Sequence, residues 1–145
     1  MHGQTAPEQT AYATLILRLA LGIMFLSHGL LKILVFTIPG TVSFFESVGY
    51  PGWMAYLAIA AEIGGGTLLI LGVYTRWVAL ALLPLLLGAA KVHLGNGWLF
   101  SNQGGGWEYP VFLVVNAVVL VLLGDGAWAL QLPWRRRPAG PQSPS

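Results

Sequence analysis

The chain has 145 residues, of which Lys, Arg, Asp and Glu make up 8 % and hydrophobic residues 56 %, with a mean hydropathy of +0.71. A soluble domain carries about 25 % charged residues, so this composition argues against a soluble or disordered chain and predicts one small domain in a lipid bilayer. The net charge of +2 mostly reflects Arg135, Arg136 and Arg137, so this charge does not indicate nucleic-acid binding. Without cysteine, the chain itself can form no disulfide, thiolate metal site or iron–sulfur ligation.

Four segments reach the length of about 20 mostly apolar residues that a membrane-spanning helix needs. The breaks between them carry turn-forming residues, such as Pro39-Gly40 after the first segment and Gly104 to Gly106 before the fourth. The sequence therefore predicts an N-terminal tail over residues 1–10, a transmembrane domain over residues 11–130 and a disordered basic tail over residues 131–145. The predicted spanning helices cover residues 11–38, 53–73, 77–94 and 107–123.

Two segments allow other interpretations. A cleaved signal peptide fits the first segment poorly, because a basic start is missing and Arg18, His28 and Lys32 interrupt the apolar run. Residues 41–48 place two phenylalanines beside Glu46, which predicts an interfacial segment or a short amphipathic helix.

The predicted fold class is all-α, an integral membrane four-helix bundle of up-down-up-down topology with both termini on one side. Arg76 and the three tail arginines lie on that side, whereas the opposite side has no arginine. Because positively charged loops stay inside the cell, this side is expected to be cytoplasmic.

Ionisable residues within spanning helices are costly, about 2.5–3.5 kcal/mol each on insertion scales, so each is expected to have a partner or a function. Glu62 lies near the middle of the second predicted span among small residues, and we expect its partner to be Lys32, His28 or Arg18. The residues of this candidate polar cluster are Arg18, His28, Lys32, Glu62, Lys91, His93 and Glu108.

Three interpretations of the cluster remain open. The groups could pair with each other and only fix helix packing. They could instead form a site for a small molecule or a proton. Ligation of a metal or haem by His28 and His93 is the third interpretation, although their different depths in the membrane argue against it.

The motifs of the first two spans together resemble the DoxX family of small bacterial membrane proteins. The first motif is Arg18-x3-Gly22-x2-Phe25-x2-His28-Gly29-x2-Lys32, and the second is Glu62-x-x-Gly65-Gly66-x-x-Leu69-x-x-Gly72. A Gly-Asp-Gly ending the fourth span completes the similarity, which covers about residues 13–130. Arg18, His28, Lys32 and Glu62 are the family-motif residues, and no catalytic role is assigned to any residue.

The resemblance implies a multi-pass protein of the bacterial cytoplasmic membrane, acting as an accessory or quinone-interacting subunit of a membrane oxidoreductase system. The family takes its name from a subunit of a thiosulfate:quinone oxidoreductase. No cofactor is certain, but if the chain takes part in redox chemistry, a quinone or a redox partner subunit carries the electrons. Further copies of the chain are the other partner considered. The headgroup would lie near His28 and Lys32, with Glu62 as proton acceptor. A small transporter, or a structural or assembly protein without a ligand, is the alternative.

Overall fold

The computed structural model describes residues 7–130, 132 and 133, and this part of the chain is all-α. Its helices are α1 (Pro7–Leu34), α2 (Ile38–Ser47), α3 (Trp53–Leu71), α4 (Thr75–His93) and α5 (Glu108–Leu123), with a 3-10 turn at Leu94–Asn96. Three of the described helices, α1, α3 and α4, are long and apolar enough to cross a membrane, and α5 is a shorter apolar helix of 16 residues. The predicted disordered tail and its three arginines lie outside the described residues.

The first predicted span differs from the structure at both ends. Helix α1 begins at Pro7, within the segment predicted as a tail, because proline is well suited to the first turn of a helix. The helix stops at Leu34 rather than residue 38, and Thr37 then adopts a positive φ of 65°. The hydroxyl of Thr37 accepts a hydrogen bond from the amide of Gly40 at 3.2 Å and caps α2. The short helix expected over residues 41–48 is therefore present as α2, beginning three residues earlier.

Glycines let α1 and α3 pack with their backbones in contact. A Cβ on Gly66 would lie 2.7 Å from the amide nitrogen of Leu26 and 2.8 Å from the carbonyl oxygen of Gly22. Gly29 lies against Ile63 in the same way, so α1 and α3 run antiparallel. This small-residue packing is typical of helix pairs in membranes, and it brings the end of α1 beside the middle of α3.

The interior and the surface of the fold are both apolar. The core contains residues from α1, α3, α4 and α5, namely Leu21, Phe25, Leu69, Ala79, Leu82, Leu86, Ala117 and Leu120. Large apolar side chains also cover the outside of these helices, including Ile16, Leu57, Leu87 and Leu122. Such a surface fits hydrocarbon better than water.

The helices place different segments at the two ends of the molecule. At one end, which we call the junction end, the first turns of α1 meet the α3–α4 connection and residues 124–130. The amide of Ala127 donates to the carbonyl oxygen of Ala11 at 3.0 Å, and the amide of Leu130 donates to that of Leu71 at 2.9 Å. At the other end, the loop end, lie α2 and residues 94–107.

Candidate functional site

A buried ion pair joins α1 to α3. The ammonium group of Lys32 donates a hydrogen bond to Oε1 of Glu62 at 2.9 Å and lies 2.8 Å from Oε2. The side chains of Lys32 and Glu62 are 19 % and 8 % exposed. Oε2 is buried and accepts no hydrogen bond among the described residues, so the pair is held by charge as well as by one hydrogen bond. Of the three candidate partners predicted for Glu62, Lys32 is the one that contacts it.

The surroundings of the pair are small or already hydrogen-bonded. Gly29 lies against the side chain of Glu62, so the two helices approach closely at this point. The hydroxyl of Thr41 donates to the carbonyl oxygen of Lys32 at 3.1 Å or to that of Thr37 at 2.9 Å, which ties α2 to the end of α1. The pair therefore lies between α1 and α3, and Thr41 of α2 is hydrogen-bonded to the backbone of Lys32.

His28 lies one helical turn before Lys32 and is half-buried. Its Nδ1 lies 2.8 Å from the carbonyl oxygen of Met24. Since a carbonyl oxygen only accepts, Nδ1 carries the proton and donates, and Nε2 of the neutral ring is left as an acceptor. The hydrogen bond of His28 therefore stays within α1, beside the ion pair rather than in it.

His93 and Glu108 organise the loop end. Nδ1 of His93 donates toward the carbonyl oxygens of Gly105 and Gly104, at 3.0 and 3.1 Å. Oε1 of Glu108 accepts a hydrogen bond from the amide of Phe100 at 3.0 Å. Lys91 lies two residues before His93, so the two side chains point about 200° apart around α4. His93 is half-buried in the loop end, and Lys91 is accordingly exposed.

Arg18 lies at the junction end and is 1 % exposed. Its Nη1 donates a hydrogen bond to the carbonyl oxygen of Asp125. Its Nη2 donates one to the carbonyl oxygen of Ala127 at 3.2 Å. The carboxylate of Asp125 in turn accepts a hydrogen bond from the amide of Thr75 at 3.1 Å. Arg18 therefore fastens the segment after α5 to α1, and Asp125 fastens it to α4.

The structure thus distributes the seven predicted residues over three places. Lys32 and Glu62 touch each other, with His28 beside them. His93 and Glu108 hold the loop end, where Lys91 is exposed, and Arg18 lies at the junction end. Among the described residues, no group of three His, Asp or Glu side chains is arranged to hold a metal ion.

The sequence analysis missed the roles of Asp125, Trp98 and Phe100. The Gly-Asp-Gly motif contained a signal for Asp125, since a charged residue after an apolar helix can bond to a neighbouring helix end. Trp98 and Phe100 contribute to a cavity of about 720 Å³ at the loop end. No periodic pattern in the loop pointed to that cavity.

Long apolar helices, an apolar outer surface and a buried ion pair define the class of the protein: a small helical multi-pass membrane protein. The DoxX family profile matches residues 13–95, which is more than half of the chain. The chain belongs to the DoxX family.

Two relatives are similar over most of their length. A Bacillus subtilis (strain 168) protein named "Putative oxidoreductase CatD" is 36 % identical over 117 residues, covering 81 % of this chain and 83 % of that protein. An Escherichia coli (strain K12) protein named "Inner membrane protein YqjF" is 38 % identical over 122 residues, covering 80 % of this chain and 87 % of that protein. No solved structure matches the chain significantly.

Proposed function

We propose that this DoxX protein is an accessory, quinone-interacting subunit of an oxidoreductase system in the bacterial cytoplasmic membrane. The observation that carries the proposal is the Lys32–Glu62 ion pair between two apolar helices, with His28 one turn away. Charged groups inside spanning helices are costly, and those that remain there pair with each other or mark ligand sites and proton relays. This pair, with an imidazole beside it, offers groups that can exchange protons next to an apolar phase.

The accessory role concerns how electrons would reach the chain. The sequence contains no cysteine and no glycine-rich dinucleotide-binding fingerprint. If the chain takes part in redox chemistry, a quinone or a partner subunit carries the electrons. The similarity to a relative named as an oxidoreductase supports this class of reaction.

The proposed topology has four crossings, by α1, α3, α4 and α5. A 16-residue α5 is about 24 Å long, which is shorter than the roughly 30 Å hydrocarbon core, and local thinning of the bilayer can accommodate the difference. The junction end, which contains the start of α1, Arg76 and residues 124–130, would face the cytoplasm with both termini, because arginine favours that side.

Quinone reduction in membrane vesicles tests the function. Vesicles come from a strain that lacks the chain and from the same strain producing wild type, Glu62→Gln or the exposed control Glu46→Gln at equal levels. The rate of decylubiquinone reduction is measured with a panel of respiratory electron donors. We expect deletion of the chain to lower the rate of decylubiquinone reduction for at least one donor. Wild type and Glu46→Gln should restore this rate, and Glu62→Gln should restore it less well. Equal rates in all vesicles would refute the accessory role.

The closed geometry of the ion pair favours a second candidate, a structural membrane protein without a ligand. Both carboxylate oxygens of Glu62 lie within 2.9 Å of the ammonium of Lys32, as expected if the pair only fixes the packing of α1 on α3. Under this alternative, Glu62→Gln lowers the stability of the purified chain while the vesicle rates do not depend on the chain at all.

A further inference from the structure

A cavity at the loop end lies apart from the ion pair. Its volume of about 720 Å³ lies within the range of roughly 300–1,000 Å³ that is typical of small-molecule sites. Its lining is mainly apolar, with a few polar groups. The lining includes the aromatic residues Trp98, Phe100, Tyr109 and Phe112 and the polar residues His93 and Glu108.

Backbone hydrogen bonds and a ring contact order the loop that borders this cavity. The amide of Trp107 donates to the carbonyl oxygen of Gly97 at 3.0 Å, and the amide of Glu108 donates to that of Trp98 at 3.1 Å. The rings of Trp98 and Trp107 then pack edge to face, with centroids 4.5 Å apart. These contacts order the loop, and an ordered site loses less entropy on binding.

Two polar residues of the lining, His93 and Glu108, can each accept a further hydrogen bond. Nδ1 of His93 donates to the loop carbonyls of Gly104 and Gly105, which leaves Nε2 of the neutral ring as an acceptor. Oε1 of Glu108 accepts from the amide of Phe100, and the ionised carboxylate has further lone pairs. Two acceptors in an aromatic slot are complementary to a flat ring that carries two hydroxyl donors.

An apolar track leads away from the cavity along α5. Phe112 lies in the lining, and Val115, Val119 and Leu122 follow at helical spacing, all of them exposed on the outer surface. A ligand with its ring in the cavity could therefore lay an apolar tail along the membrane-facing side of α5.

We propose that the loop-end cavity binds a dihydroxy aromatic ring, and specifically the headgroup of a membrane quinol. One hydroxyl donates to the carboxylate of Glu108 and the other to Nε2 of His93, while the tail follows α5. This assignment rests on the proposed function and adds the place of binding and the reduced form of the ligand. A water-soluble catechol shares the same headgroup chemistry, and the experiment separates the two sources.

The test uses the full chain, labelled with 5-fluorotryptophan, in lipid nanodiscs. Decylubiquinol, kept reduced under argon, and catechol are titrated separately while the fluorine NMR signals are recorded. Trp98→Phe assigns the signal of Trp98, and Trp77 at the junction end is the internal control. We expect decylubiquinol to shift the Trp98 signal in a saturable manner and to leave the Trp77 signal unchanged.

Two substitutions each remove one proposed acceptor with little change in shape. His93→Asn keeps a donor for the loop carbonyls but lacks Nε2, and Glu108→Gln keeps an oxygen for the amide of Phe100 but lacks the charge. Each should weaken decylubiquinol binding about tenfold, as expected for one hydrogen bond to a charged or strongly polar group. Glu46→Gln, a carboxylate outside the lining, should leave the affinity unchanged.

Three results would contradict the assignment. A Trp98 signal that moves with neither probe overturns the site, and so does unchanged affinity in both variants. A shift with catechol alone overturns the quinol as the ligand. None of these results decides the proposed function, which the vesicle rates test through deletion of the chain and through Glu62, a residue outside the lining of the cavity.

Discussion

The ion pair between α1 and α3 predicts an unequal response to removing either partner. In Lys32→Met, the carboxylate of Glu62 loses its counterion while its side chain is only 8 % exposed. Breaking a buried pair by removing one partner costs about 3–5 kcal/mol, and we expect this variant to lie in that range. In Glu62→Gln, the amide oxygen can still accept from Lys32, whose side chain is 19 % exposed, so we expect about 2 kcal/mol.

The assay is equilibrium unfolding of the purified chain in mixed micelles as the fraction of sodium dodecyl sulfate increases, followed by far-UV circular dichroism. The double variant Lys32→Met/Glu62→Leu completes the cycle. Because it leaves no unpaired charge, its loss of stability should be smaller than the sum of the two single losses. Glu46→Gln, an exposed carboxylate, should change the free energy of unfolding by less than about 0.5 kcal/mol.

Additive single losses would refute this reasoning, because they would show that Lys32 and Glu62 do not interact energetically. Equal stability of Lys32→Met and wild type would refute it as well. That result would mean that Glu62 finds water or another partner at its position between the helices.

Three further predictions concern helix packing, the junction end and the topology. Gly66→Ala places a methyl group against the backbone of α1 and should lower the stability by about 1–3 kcal/mol. Gly64 has open space around it, so Gly64→Ala should stabilise the protein by up to about 1 kcal/mol. Equal stabilities of the two variants in the unfolding assay would contradict the close packing of α1 on α3. Arg18→Met should speed hydrogen exchange at the amides of residues 125–130, measured by mass spectrometry, and unchanged protection would show that the guanidinium does not hold this segment. In the naturally cysteine-free chain, Ser101→Cys should react with a membrane-impermeant maleimide in intact cells and Glu8→Cys only after permeabilisation, and the opposite pattern would reverse the proposed orientation.

The sequence was sufficient to predict an all-α membrane protein and to limit the partner of Glu62 to three candidates. A carboxylate in the middle of an apolar helix demands a partner, and only a few cations lay within reach, so Lys32 could be predicted as one of them. The glycines around Glu62 pointed to a close helix neighbour, which α1 proves to be. Both predictions could be made because an unpaired carboxylate inside an apolar helix costs so much free energy that few arrangements of its neighbours are possible.

The remaining features depend on tertiary contacts that carry no periodic signal. The end of α1 at Leu34 is coupled to the positive φ of Thr37 and to the bonds that Thr41 makes to the end of α1. The loop-end cavity depends on backbone carbonyls that accept from His93 and from the amide of Glu108. Every residue has such a carbonyl, so the sequence could not indicate which ones would be used.

The most direct test of a quinone-interacting membrane subunit is the quinone content of the chain purified with its native lipids. The full chain is extracted into polymer-bounded native nanodiscs, and the ratio of quinone to phospholipid is measured by liquid chromatography beside that of the whole membrane. The account predicts a ratio several-fold above that of the membrane, at about one quinone per chain or per oligomer. A ratio equal to that of the whole membrane would contradict it.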